Sequence, residues 1–206
     1  MLAVVGGKGG CGKTTTTACL ARALAAEGDA PVAVDADRDM PDLHLVAGTP
    51  AEPGLGRLAD GGLGEATHRA AELPGVHVVP AGDGTDADLL EAASRLRSRT
   101  GPVLLDAPAG ASPDAAVPLR VADRSLVVTT PSRESLEDAA KSAAMAETLD
   151  APAVGSVVVR SDGDVDPAPL LDCPTLGHVP AVSDPLSSAR VARAYDRVAT
   201  SFRRNI

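Results

Sequence analysis

Ten residues near the start of the chain, 6–15, read GGKGGCGKTT and follow directly on the short apolar run Leu2–Val5. Gly7 through Thr14 fits G-x-x-x-x-G-K-T, the phosphate-loop pattern. Each residue type has a physical task there. Gly7, Gly9, Gly10 and Gly12 let the backbone turn tightly and bring its N–H groups against phosphate oxygens. Cys11 sits where only a small residue is needed. Lys13 supplies a mobile positive charge for the outer phosphates, and the Thr14 hydroxyl is suited to Mg²⁺. Thr15 follows in the helix opening at Lys13, whose N-terminal dipole end adds to the attraction. Gly7, Gly9 and Gly12 also satisfy G-x-G-x-x-G, and Asp35 lies at a distance suited to a ribose-binding acid, so a dinucleotide site competes. Lys13-Thr14 directly after the last glycine is not something a pyrophosphate site requires, which places the phosphate loop well ahead.

A helix is predicted over 14–27, with Ala18, Ala21, Leu24 and Ala25 on one face and Gly28 as its stop. A buried strand over 31–34 then completes a strand-helix-strand unit, the opening of a parallel sheet. Further strands are predicted over 76–79, 102–105, 125–130, 154–159 and 175–179. Helices are predicted over 86–97, from a Ser132 cap to about Leu149, and from a Ser183 or Asp184 cap to about Arg203. Residues 38–48 read as a polar loop passing into a short helix, 51–64 as a loop with a helical turn, and 65–72 as helical. The expected architecture is α/β: a single domain over 1–206, with a mostly parallel, doubly wound sheet and helices on both faces.

Composition narrows the function classes. The chain of 206 residues carries a net charge of −9, one Tyr, one Phe and no Trp, so Ala, Val and Leu must build the core. That acidic balance argues against bulk nucleic-acid binding while leaving room for a local basic patch. Twenty aspartates against eight glutamates, with three lysines, would suit a high-salt interior, although a GC-rich coding bias explains the same numbers. Cys11, Cys19 and Cys173 form no C-x-x-C pair, so reduced thiols are expected rather than a metal knuckle or disulfides. With no signal peptide and no membrane-length apolar run, a cytoplasmic location is expected.

Three predicted strands end in acid-bearing or phosphate-loop segments: 6–15, Asp35-Ala36-Asp37, and DAPAG at 106–110. In an open parallel sheet, ligands sit beyond those carboxyl ends. Asp106 is therefore placed to hold the Mg²⁺ shell, Asp37 to orient the attacking water, and the Gly110 N–H to sense the γ-phosphate.

The loop KGGCGKTT resembles the deviant Walker A motif of the MinD/ParA family, x-K-G-G-x-G-K-T-[ST], with Lys8 on the extra signature lysine. DADRDMPDLHLVAG, HVVPAG, DAPAG and VVTTPS extend the resemblance in the right order over nearly the whole chain. The resemblance implies a P-loop ATPase that uses ATP and Mg²⁺ and dimerises face to face around two ATP molecules. Lys8 would reach the partner's nucleotide. Slow, partner-stimulated hydrolysis would switch the positioning or partitioning of a cargo; a nucleotide-gated binding module and an ATP-dependent metabolic enzyme are the alternatives. The activating or cargo protein carries no sequence code. Where members often carry a base-reading Asn, this chain has Arg160, which either stacks on the base or is solvated. Pro180 lies in the segment resembling the family's adenine-lining backbone. The terminal helix has Val191, Tyr195, Val198 and Phe202 on one face and arginines around the others. Docking on the sheet is the preferred reading, with membrane contact as the alternative.

Overall fold

Strand β1 (Leu2–Val5) is fully buried and sits in the interior of the sheet. A computed structural model describes residues 1–7 and 9–204, without the Arg204 side chain. From β1 the chain continues through α1 (Lys13–Ala26), β2 (Val32–Asp35), α2 (Leu43–Ala47), α3 (Leu55–Asp60) and α4 (Leu63–Ala66). Next come β3 (His68–Arg69), β4 (His77–Val79), α5 (Asp86–Arg97), β5 (Val103–Asp106), α6 (Pro113–Val121) and β6 (Arg124–Thr129). The remainder is α7 (Arg133–Thr148), β7 (Ala153–Val159), α8 (Ala168–Leu171), β8 (Thr175–Val179) and α9 (Ala189–Arg204). The eight strands lie in the order β3-β4-β2-β5-β1-β6-β7-β8, all parallel except β3, which runs antiparallel to β4.

Strand alternation divides the core into two layers. Leu2, Val4, Ala33 and Leu104 face α1, α2 and α9, whereas Ala3, Val5, Val34 and Leu105 face α3, α5, α6 and α7. Helices thus cover both faces, as expected from the near-continuous apolar strands.

Three local expectations change. Residues 65–72 are not a helix: α4 ends at Ala66, and β3 pairs with the edge of the sheet. Helix α6 was not anticipated, because Pro118 inside it is costly on propensity alone. Its start is nevertheless well made, with Pro113 in the first turn and the Ser112 Oγ accepting from the Ala115 N–H at 3.2 Å. The last helix opens at Ala189, so neither Ser183 nor Asp184 caps it. Ser188 does so, its carbonyl accepting from the Ala192 N–H at 2.9 Å, while Asp184 holds the preceding turn through the Ser187 N–H. Ser132 caps α7 as predicted.

Candidate nucleotide site

The glycine loop leaves β1 and turns into α1 at Gly12, whose φ of 95° is ordinary only for glycine. Gly7 is required for a different reason. A Cβ there would fall 2.0 Å from the Asp138 Cβ on α7, so the loop passes directly against that helix. Gly9 and Gly10 are exposed at the crest, and Cys11 is buried with its Sγ 3.9 Å from the Val128 carbonyl. Lys13 is the first residue of α1 and is 6% exposed. Lys8 lies outside the described residues.

Asp35 and Asp106 end β2 and β5 and are paired in register. Alternation turns both toward α1. The Thr17 hydroxyl, one turn after Lys13, lies 3.1 Å from both the Lys13 carbonyl and the Asp106 Oδ1. Burial lifts the Asp106 carboxyl to about 6, against the opposing pull of the Thr14 and Thr17 hydroxyls and Lys13. Burial and the negative Asp106 push Asp35 further, to about 8. Asp35 is anchored by the N–H groups of Asp37 and Leu43, each donating at 3.1 Å to a different carboxylate oxygen. Two side-by-side buried carboxyls beside a hydroxyl-bearing helix are a poor arrangement for the metal-free protein and a suitable one for a hard cation. Thr14 and Asp106 thus fit Mg²⁺, which takes few protein ligands and keeps the rest as water and phosphate.

Asp37 is half-buried at the rim, where its Oδ1 accepts from the Met40 N–H at 3.1 Å. Gly110, with φ of 83°, donates its N–H to the Gly6 carbonyl at 3.1 Å. Contact between that N–H and a phosphate therefore requires this bond to open. Arg160 is exposed, in keeping with the solvated alternative. Its backbone is left-handed, with φ of 55°, and its Nη2 donates to the Gly10 carbonyl at 3.0 Å, tying the end of β7 to the loop crest. Beside the loop lies a cavity of about 230 Å³ bordered by Gly12, Thr15, Arg160, Pro180, Val191 and Tyr195. The structure so brings Lys13, Thr14, Asp106 and Asp37 to one end and gathers Thr15, Arg160 and Pro180 around this adjoining cavity.

Sequence reasoning missed two supporting residues. Thr17 has the i+4 spacing from Lys13 that puts both on one helical face, a signal available in advance. Tyr195 shares a buried hydrogen bond with Thr16, 2.8 Å between oxygens, and locks α9 behind the loop. The apolar face of α9 is docked as preferred: Val191, Tyr195, Val198 and Phe202 are all buried. No described helix is long and apolar enough to cross a membrane.

A phosphate loop after an interior strand of a parallel sheet, with acids ending the neighbouring strands, defines a P-loop nucleotide-binding protein. The chain belongs to the CobQ/CobB/MinD/ParA nucleotide binding domain family, whose profile matches residues 2–168. It is 30% identical over 193 residues to an uncharacterized ATP-binding protein of Methanocaldococcus jannaschii, covering 87% of this chain and 73% of that one. The septum site-determining protein MinD of Synechocystis is 29% identical over 170 residues, covering 78% of this chain but 64% of the relative. Among solved structures, MinD of Pyrococcus horikoshii complexed with Mg-ADP superposes with a TM-score of 0.83 at 26% identity, covering 96% of this chain and 93% of that one. The cell division ATPase MinD of Pyrococcus furiosus gives 0.80 at 28% identity, covering 98% of each.

Proposed function

We propose that residues 1–206 act as one Mg²⁺-dependent ATPase domain whose ATP-driven dimerisation and hydrolysis switch the positioning or partitioning of a cellular cargo. The observation that carries this reading is the convergence of Lys13, Thr14 and the buried Asp106 beneath the glycine loop. ATP would lie with its phosphates in the backbone of Gly7, Gly9, Gly10, Cys11 and Gly12, and its base in the cavity bordered by Thr15, Arg160 and Pro180. Lys13 would neutralise outer-phosphate charge, and Thr14 and Asp106 would hold Mg²⁺, which when bound spreads the charge of the transferring phosphoryl group. Asp37 would orient water once freed from its own turn, and Gly110 would read the γ-phosphate after releasing Gly6. Lys8 would act across a homodimer interface on the partner's nucleotide. The resemblance to MinD, together with a solved MinC:MinD complex of Aquifex aeolicus, supports an accessory protein partner as well.

A nucleotide-gated binding module with little hydrolysis is the second reading. It is favoured by the Asp37 carboxylate and Gly110 N–H both being engaged within the protein. Phosphate release and ATP binding measured on two variants test the proposal. Lys13→Ala is expected to lose nucleotide binding, whereas Lys8→Ala is expected to bind ATP and lose turnover or ATP-dependent dimerisation. Unchanged turnover in Lys8→Ala would refute the trans role, and ATP binding without any phosphate release in the unmodified protein would favour the gated module.

A further inference from the structure

A second cavity, of about 420 Å³, lies beyond Pro180 on the outer side of β8 and α9, separate from the one beside the glycine loop. Arg190, Arg193 and Arg197 line it from one stripe of α9, at i, i+3 and i+7, and the half-buried His178 lines it from β8. Three arginines meeting at one concavity are conspicuous in a chain of net charge −9. Asp162 is the one acid among the lining residues, and its pair with Arg190 is long, at 3.4 Å, and exposed on both sides. Arg193 and Arg197 have neither an ion pair nor a hydrogen bond among the described residues. Arg203, two turns further along the same helix, is by contrast neutralised by Glu27 and Asp29 at the end of α1. The same helix thus holds a well-paired arginine elsewhere. At the cavity Arg190 has only the long pair with Asp162, and Arg193 and Arg197 have none among the described residues.

The floor is polar as well. The Ser161 Oγ lies 3.1 Å from the His178 Nδ1 and accepts from the Gly163 N–H at 3.1 Å, which orients the imidazole. Gly177 keeps the floor open and lets α9 close over the strand: a Cβ there would meet the Val198 Cγ2 at 2.8 Å. Convergent guanidinium groups on a concave, hydroxyl-bearing floor are matched to phosphate oxygens, which they bind through forked, charge-assisted hydrogen bonds.

We propose that this cavity is a second ligand site, for a small anion carrying several phosphate groups. Its size lies within the range typical of small-molecule sites. Extended polyanions fit less well, because the acidic remainder of the surface repels a duplex or an anionic bilayer wherever these extend past the cavity. The inference does not rest on the nucleotide reading of the glycine loop.

Inorganic tripolyphosphate is the probe, titrated calorimetrically into the Lys13→Ala protein so that the glycine loop contributes little. Binding is expected, with a chemical-shift change confined among the four histidines to His178. Replacing both Arg193 and Arg197 by Gln should weaken it by roughly a hundredfold, about tenfold per lost charge-assisted contact. The same pair of substitutions in the otherwise unmodified protein should leave ATP binding and the melting temperature unchanged, which separates a lost site from a lost fold. No tripolyphosphate binding, or binding indifferent to the double substitution, overturns the proposal. So does tighter binding to phosphatidylglycerol vesicles or duplex DNA than to tripolyphosphate when that binding depends on these arginines.

Discussion

Replacing Asp106 by Asn should make the metal-free protein more stable while abolishing its response to Mg²⁺. Asp106 is 1% exposed and paired in register with Asp35, and its carboxyl is lifted from the ordinary 3.8 to about 6. Each tenfold change in proton affinity is worth about 1.4 kcal/mol, so an ionised Asp106 costs the metal-free fold about 3 kcal/mol above pH 6. Asn keeps the acceptor for the Thr17 hydroxyl and removes the charge. For a chain of this length 1 kcal/mol moves the melting temperature by about 2–4 °C, giving a rise of roughly 6–12 °C in EDTA at pH 8. A carboxyl with a raised folded pKa contributes stability that is complete below its unfolded value. That contribution is lost as pH climbs through about 6 for Asp106 and about 8 for Asp35. The unmodified protein in EDTA should therefore melt at progressively lower temperature from about pH 4 to about pH 8. In the variant the part of that decline due to Asp106, between about pH 4 and pH 6, should vanish. Thermal melts with and without Mg-ATP complete the test. The unmodified protein should gain about 2.7 kcal/mol at a hundredfold excess over its dissociation constant, and the variant should lose the Mg²⁺-dependent part of that gain. A variant that melts below the unmodified protein in EDTA, or that keeps the full Mg²⁺ increment, would refute the assignment of Asp106 as a strained metal ligand.

Two further outcomes follow from the loop. Arg160→Gln removes a charge-assisted bond to the Gly10 carbonyl, so ATP affinity measured by titration should fall roughly tenfold with the melting temperature almost unchanged; unchanged affinity would mean the latch is incidental. Gly7→Ala places a methyl 2.0 Å from the Asp138 Cβ and 2.3 Å from its carbonyl carbon, and backbone cannot yield cheaply. A loss of about 1–3 kcal/mol in denaturant unfolding and of ATP binding is expected, and a variant as stable as the parent would show that α7 sits further away.

Local chemistry made the loop and most of the sheet legible. The residues 6–15 carry their own instructions, since glycine spacing, Lys13 and Thr14 act within one turn of chain. Apolar runs bounded by acids or glycines gave the β1, β2, β4, β5, β6, β7 and β8 positions to within a residue or two. Helix α6 escaped because the caps at Ser112 and Pro113, together with burial of Leu119 and Val121, outweigh Pro118. The two-residue β3 escaped because such a strand exists only by pairing with β4. Arg160 escaped for a related reason, since its target is a backbone carbonyl 150 positions earlier in the chain.

By itself, then, the sequence determined the phosphate loop, the parallel α/β arrangement and the identity of the acids, because each depends on spacing over a few residues. Only the tertiary structure decided that Asp35 and Asp106 stand buried side by side, and that Gly110 and Arg160 fasten the loop at its start and at its crest. It alone also leaves Arg193 and Arg197 over an open cavity without an ion pair among the described residues. Burial, register and charge pairing are properties of neighbours brought together from distant parts of the chain, and no local pattern records them.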